Sequence, residues 1–223
     1  KVVKITFPRD QQTASNLKKY QIHAEFYGNP MMDNLVTDQK AVELEKGQEL
    51  IGMLPGSREE AYQNIDYFLK IAGQLAKDQP DVICCIAKAS SLELDKIAKN
   101  TEWDIQKNAE SMFLFNKKAG SKVYISDNFL AVINQAKAVI GLAGTANEQA
   151  AFLGKPVICF KGFGPQASQQ RFKEQRKLMG ENIILVEQNI STIINQIKLQ
   201  ITKNSHKSSV QSASGKIIKA ICQ

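Results

Sequence analysis

Three short segments combine glycine with groups that hold anions or hydroxyls, and each follows or ends an apolar run. They are Ile51-Gly-Met-Leu-Pro-Gly-Ser-Arg58, Val139-Ile-Gly-Leu-Ala-Gly-Thr-Ala146, and Lys161-Gly-Phe-Gly-Pro-Gln166 behind Pro156-Val-Ile-Cys-Phe160. In the first, Gly56 lets a ligand approach the backbone closely, Ser57 adds a hydroxyl, and Arg58 adds a planar fork of donors that matches a phosphate. Ser57 and Glu60 also form a capping box, a pattern that needs no ligand. The box leaves Arg58 unexplained, because a cation at the start of a helix faces the positive end of its dipole. An anionic ligand removes that conflict.

The second loop repeats the logic. Gly144 and Thr145 open an expected helix, and Thr145 and Glu148 have capping-box spacing. Asn147 and Gln149 lie near that start, able to bond a sugar or ribose hydroxyl; a solvated helix face accounts for them equally. Gly164, Pro165 and Gln166, followed by Ser168, Gln169 and Gln170, give an uncharged, amide-rich patch suited to hydroxyl recognition, or a plain surface turn. Ser126-Asp127-Asn128 reads first as a helix cap and second as a place where a base edge is read. None of these loops holds a general base, a Ser/His/Asp set or paired carboxylates. His23 reads as a surface or packing residue. The chemistry on offer is holding a ligand.

Positioning such loops is the work of the alternating pattern around them. Strands are expected near 49–54, 82–87, 122–126, 138–141, 156–160 and 183–186, with helices near 58–78, 91–99, 128–137, 145–153 and 167–179. Ala61, Ile65, Phe68, Leu69, Ala72, Leu75 and Ala76 make a stripe one helical face wide. Continuous apolar strands joined by helices specify a parallel sheet buried on both faces, an α/β doubly wound fold. Ligands of such sheets bind outside the carboxyl ends of the strands, where all these loops would meet. Upstream, 1–8 and 23–27 read as strands, 10–20 as a helix and 31–35 as a short helix, with 37–48 a polar connector. Met112–Phe115 reads as a strand inside the otherwise unpatterned stretch 100–121. Thr202 to Gly215 reads as a linker and Lys216 to Cys222 as a last amphipathic turn or two.

At 223 residues the chain holds one large domain, or one with extra pieces at its ends. It opens at Lys1 without a Met, and the expectation is a fragment or trimmed chain. No apolar run approaches the ~18–20 residues of a membrane span, and no signal peptide is visible. Four cysteines without a CxxC pair and two distant histidines indicate buried thiols in a reducing compartment, with neither a disulfide framework nor a zinc site. The net charge of +7 suits anionic substrates or an anionic membrane surface; without basic clusters interleaved with aromatics it does not specify nucleic acid. A cytoplasmic location is expected, with peripheral contact at the inner membrane face compatible with the charge.

At Leu54-Pro-Gly-Ser-Arg58 and Ala143-Gly-Thr-Ala146 the chain resembles lipid-A-disaccharide synthase and its relatives, glycosyltransferases of the GT-B fold. Gly28-Asn-Pro-Met-Met-Asp33 is similar to the Gly-His-Pro segment where that family's chain enters its second domain. Closer still is the resemblance to synthase-related proteins of unassigned function, carried by Phe7-Pro-Arg-Asp10, Gly28 to Asp33, Gly144-Thr-Ala-Asn-Glu-Gln149 and Gly164-Pro-Gln166. The resemblance implies the C-terminal, Rossmann-like donor domain of a GT-B enzyme. It places the end of an N-terminal domain at 1–34, the nucleotide-sugar-binding domain at 35–203, and a linker with a C-terminal helix at 204–223. It implies that Gly56, Ser57 and Arg58 face the diphosphate, the Ser126-Asp127 loop the base, and Gly144 to Gln149 the phosphate and ribose.

The departures fall on lipid A synthesis itself. The family's ribose-binding Glu aligns with Gln149, its Ser before Gly-Thr with Ala143, and its Glu three residues after the Arg with Ala61. Binding of a nucleotide sugar survives these changes. The resemblance therefore implies a UDP-sugar donor domain, with no metal or cofactor expected and a lipid-linked acceptor as a candidate second substrate. A UDP-sugar 2-epimerase-like enzyme and a non-catalytic nucleotide-sugar-binding module are the alternatives. The oligomeric state is left open.

Overall fold

The computed structural model describes residues 3–99, 101–108, 111–203 and 212–222. In chain order its elements are α1 (Gln11–Lys19), β1 (Glu49–Leu54), α2 (Ala61–Asp78), β2 (Val82–Ala87), α3 (Leu94–Lys99), β3 (Asp104–Lys107), β4 (Met112–Asn116), β5 (Ser121–Ser126), α4 (Phe129–Gln135), β6 (Ala138–Gly141), α5 (Thr145–Phe152), β7 (Val157–Cys159), α6 (Gln169–Met179), β8 (Ile183–Leu185), α7 (Ile190–Ile201) and α8 (Ala213–Ile221). Short 3-10 turns occupy Pro30–Met32, Pro165–Ala167 and Gly180–Asn182. Two compact units result: Lys1–Leu35 with Ser208–Gln223, and Val36–Lys207.

In the larger unit the continuous apolar runs become the inner strands of one eight-stranded sheet, ordered β3-β4-β5-β2-β1-β6-β7-β8. From β5 to β8 every pairing is parallel, whereas β3 and β4 add an antiparallel hairpin at one edge. β1 is central and buried from Leu50 through Leu54, because helices cover both faces. Helices α2 and α7 pack together on one face, with α2 against β2 and β5 and α7 against β6 and β7. On the other, α4 packs on β1 and β2, α5 on β6 and β7, and α6 on β8. The core is aliphatic with Phe68, Phe160 and Phe172 fully enclosed. Burial pushes the thiols of Cys84 and Cys85 up to about 12, and Cys159 higher still, so these three behave as small apolar side chains.

Two elements differ from the sequence expectation here. The strand β3 was not foreseen; it alternates half-exposed and exposed residues and exists because β4 offers it a partner. Nor was α7, although Ile193, Ile194 and Ile197 form a buried stripe behind an Asn189 cap whose side chain accepts from Thr192 N at 3.1 Å.

In the smaller unit, the expected strands at 1–8 and 23–27 reduce to a single parallel bridge between Thr6 and Ala24. Among the described residues no third strand joins them, so the pairing does not extend. Asp10 caps α1 through Thr13 N at 2.7 Å. The last helix begins at Ala213, three residues before the expected turn, because Ser212 caps it and Asp33 reinforces the cap. The Asp33 carboxylate accepts from Ala213 N and Ser214 N, both at 2.8 Å, and from Ser212 Oγ at 3.2 Å. Gly28, at φ +109°, makes room: a Cβ there would lie 2.9 Å from Ala213 Cβ. The central part of the expected linker, 204–211, lies outside the described residues. No described helix is long and apolar enough to cross a membrane.

Candidate functional site

Strand order reverses at β1. The chain first builds outward through β2 to β5, then returns to β6 on the other side of β1 and continues to β8. The crevice at the carboxyl ends of β1 and β6 is thus the switch point where open α/β sheets bind ligands. The first two glycine loops flank it, joined by Leu142 N donating to Leu54 O at 2.9 Å.

After β1 the chain turns at Gly56, whose φ of +103° favours glycine. The amides of Gly56, Ser57 and Arg58 donate to no acceptor among the described residues, and the Arg58 side chain is exposed and without an ion pair there. Three unspent N–H groups and a free guanidinium follow one another at the crevice, an arrangement that attracts an anion. The expected Ser57–Glu60 capping box does not form. A tight turn, Ala61 N to Arg58 O at 2.9 Å, intervenes, and α2 starts at Ala61 with no side-chain cap. Ser57 is therefore too far upstream to cap, and its carbonyl instead accepts from Ser91 Oγ at 2.7 Å. The Glu60 side chain lies against Gly164, where a Cβ would come within 2.3 Å of its Cγ.

After β6, Gly144 occupies the N-cap position of α5, and Thr145 is the first helical residue; neither provides a side-chain cap, so the second capping box is also absent. The amides of Thr145 and Ala146 are left without acceptors among the described residues, as the first turn of a helix dictates. Asn147 and Glu148, expected at the ribose or sugar, are 0% and 3% exposed. Helix α5 runs between the sheet and α6, so these positions turn inward with Ala150 and Ala151. Asn147 donates to Gly141 O at 3.1 Å and to Gln175 Oε1 at 3.4 Å, and its Oδ1 accepts from Ala143 N at 3.4 Å. It shapes the loop from inside. Gln149 stays half-buried at the helix surface.

The third loop closes on the first two. Gly164, at φ +88°, leads into the Pro165–Ala167 turn; Gly164 and Pro165 are exposed and Gln166 half-buried. Gln166 Oε1 lies 3.1 Å from where a Cβ on Gly144 would stand, so the second glycine loop and the amide are in contact range. At the next strand end, Asn128 caps α4 through Ala131 N at 3.0 Å, while Ser126 Oγ accepts from Asn128 N at 3.1 Å. Asp127, 72% exposed, pairs with Lys88 Nζ at 3.0 Å.

Three side chains that the sequence reading passed over hold these loops in place. Asn64, 1% exposed, donates to Pro55 O at 3.0 Å and Phe163 O at 3.3 Å, and accepts from Phe163 N at 2.8 Å. It ties the first loop to the third. Gln175, also 1% exposed, donates to Gly144 O at 2.8 Å and Ala143 O at 3.4 Å, tying α6 to the second loop. Lys88 joins the loops after β2 and β5. The signal for the first two was a polar amide on an otherwise apolar helical face, three residues from Ala61 and three from Phe172 respectively. Among the described residues no group of three His, Cys, Asp or Glu side chains gathers to hold a metal.

No protein-family model and no curated protein matches the chain in sequence. Solved structures do match its fold. A Listeria monocytogenes protein proposed as a UDP-N-acetylglucosamine 2-epimerase superposes with a TM-score of 0.64 at 14% identity, over 98% of this chain and 59% of its own. The UDP-GlcNAc 2-epimerase of Methanocaldococcus jannaschii, also solved with UDP-GlcNAc and UDP, gives 0.62 at 15% identity, over 97% of this chain and 61% of its own. CalG4, the calicheamicin glycosyltransferase, gives 0.51 at 12% identity, over 81% and 39%. The chain thus spans about three fifths of the length of the two epimerases. Its fold is the Rossmann-like one of GT-B enzymes.

Proposed function

We propose that the chain is the nucleotide-sugar donor domain of a GT-B glycosyltransferase related to lipid-A-disaccharide synthase, and that the donor is a UDP-sugar. The observation that carries this is the switch point at the carboxyl ends of the adjacent strands β1 and β6, which are followed by the amides of Gly56, Ser57, Arg58, Thr145 and Ala146 and the exposed Arg58 guanidinium, all without partners among the described residues. Such a set is complementary to a diphosphate and gains value as the glycosidic bond breaks and negative charge accumulates on the leaving diphosphate. This electrostatic role requires no metal. Gln149 and Gln166 serve hydroxyl recognition, and the Ser126-Asp127 loop the base. The general base and the acceptor site belong to protein beyond this chain, and a lipid-linked acceptor at a membrane surface accords with the net charge of +7.

A second reading, a UDP-sugar 2-epimerase, is favoured by the higher TM-scores of the epimerases, 0.64 and 0.62 against 0.51 for the glycosyltransferase. Both readings share the donor site. Titration calorimetry with UDP tests it: Arg58→Ala should weaken binding by about 1.5–3 kcal/mol, the range for hydrogen bonds to charged groups. Equal affinity of the two proteins refutes the diphosphate role of Arg58. Incubation of the complete protein with UDP-sugars then separates transfer or slow hydrolysis from an epimerised sugar.

A further inference from the structure

Lys88 directly follows the apolar strand β2, yet its side chain is only 9% exposed. Taking an ammonium this far from water is unfavourable unless its protons are placed. All three are: on Asp127 Oδ1 at 3.0 Å, Leu92 O at 3.3 Å and Ala89 O at 3.4 Å. The Lys88 amide also donates to Ser126 O at 2.9 Å, so its main chain holds the last residue of β5 and its side chain the residue that follows. The segment curled around the ammonium, 88–92, carries Ser91, whose hydroxyl donates to Ser57 O at 2.7 Å. Asp127 is thus tied through the Lys88 ammonium to Ala89 and Leu92, and the main chain between these two carries Ser91 and its bond to the Ser57 loop. Packing alone calls for an aliphatic residue at such a position. The ammonium adds something packing cannot: it neutralises Asp127, a 72% exposed carboxylate on the same sheet edge as Arg58, which would otherwise repel an anion.

We propose that Lys88 is a positioning residue of the donor site, setting the base-facing and phosphate-facing loops in register and cancelling the charge of Asp127. Its ligand rests on the donor-domain reading; its mechanical part does not. Lys88→Met keeps the length of the side chain and removes the ammonium. UDP binding to the variant should be about tenfold weaker, as expected for losing charge-assisted bonds. In the ligand-free variant, hydrogen exchange should quicken at the bonded amides beside the two loops, Ala61 and Tyr62 on one side and Lys88 and Leu92 on the other, while β1 keeps its protection. Ser91→Ala, at an exposed position, cuts the link at its last bond and should quicken exchange at 61–62 without disturbing Asp127. Unchanged UDP affinity and unchanged loop exchange in Lys88→Met overturn the proposal, as does a uniform loosening of the whole sheet, which marks a purely structural ion pair. Should Lys88→Met fail to fold, wild-type exchange at 61–62 in Ser91→Ala overturns it. If the wild-type protein binds no UDP, the donor reading falls, and the exchange measurements decide the register role by themselves.

Discussion

Removing the Asn64 side chain should uncouple two loops of the crevice, and its cost follows from the bonds it makes. Asn64→Ala deletes three hydrogen bonds, to Pro55 O, to Phe163 O and from Phe163 N, inside a site that is 1% exposed. Each neutral bond contributes about 1 kcal/mol net, and a buried partner left unpaired costs more. Pro55 is buried and suffers that full cost, whereas the backbone of the exposed Phe163 regains water. The expected destabilisation is about 2–3 kcal/mol. With a urea dependence of about 2–3 kcal/mol per molar, the unfolding midpoint falls by about 1 M. Gln63→Ala, one residue away on the exposed side of the same helix, is the control and should stay within about 0.5 kcal/mol. Asn64→Asp sharpens the test. It keeps the acceptor for Phe163 N but sets a carboxylate against two carbonyl oxygens, which raises its pKa above that of an unfolded aspartate. Its deficit against wild type should therefore shrink as the pH falls below that raised value, when the protonated acid can donate. A midpoint shift in Asn64→Ala no larger than that of Gln63→Ala refutes the reasoning.

Two further outcomes concern the frame around the site. Gly141→Ala places a Cβ 2.2 Å from Asn147 Oδ1 and 2.8 Å from Val157 Cγ1, so the thermal midpoint should fall by an overpacking cost of about 1–3 kcal/mol; Gly47→Ala, with nothing within 4 Å but a φ of +93°, is the strain-only comparison. Asp33 is held down at about 2, first by the Ser214 side chain, then by the amides of Ser214 and Ala213. Its folded value lies below the ordinary 3.8, so its hold on α8 is complete above about pH 4 and is lost as the pH falls through 2. Exchange or NMR signals of the Ala213 and Ser214 amides should follow that window in wild type and lose it in Asp33→Asn.

How far the sequence reached depends on the kind of signal each element sends. The parallel strands were legible because burial on both faces demands unbroken apolar runs, and the runs at 49–54, 82–87 and 138–141 coincide with β1, β2 and β6. Edge strand β3 sends no such signal, since Asp104 and Lys107 face water and only pairing with β4 makes them a strand. The capping boxes at Ser57 and Thr145 failed for a different reason. A box specifies spacing, but the tight turn at Arg58–Ala61 starts α2 three residues later than expected, and the Gly144 cap puts Thr145 inside α5 instead of at its cap; contacts with Gly164 and Gln175 from distant segments lie against these turns. Likewise Asn147 was visible as a polar residue near a helix start, while the inward turn that removes it from solvent depends on α6.

The buried amides bear on what the crevice is for. A fold seeking stability alone would fill the positions of Asn64, Asn147 and Gln175 with aliphatic side chains and let loop carbonyls face water. Here each amide is consumed on loop backbone: Pro55 and Phe163 for Asn64, Gly141 and Ala143 for Asn147, Ala143 and Gly144 for Gln175. The groups these bonds leave unspent are the outward ones, the amides of 56–58 and 145–146 and the Arg58 guanidinium. Fixing the backbone while keeping its donors free lowers the ordering cost that a ligand must meet on binding. Under the proposed donor-site function the same rigidity favours catalysis, because dipoles that need not reorganise stabilise developing charge most. Conformational rigidity behind the loops and chemical availability in front of them are therefore one design, and the Asn64 and Lys88 variants probe its two halves.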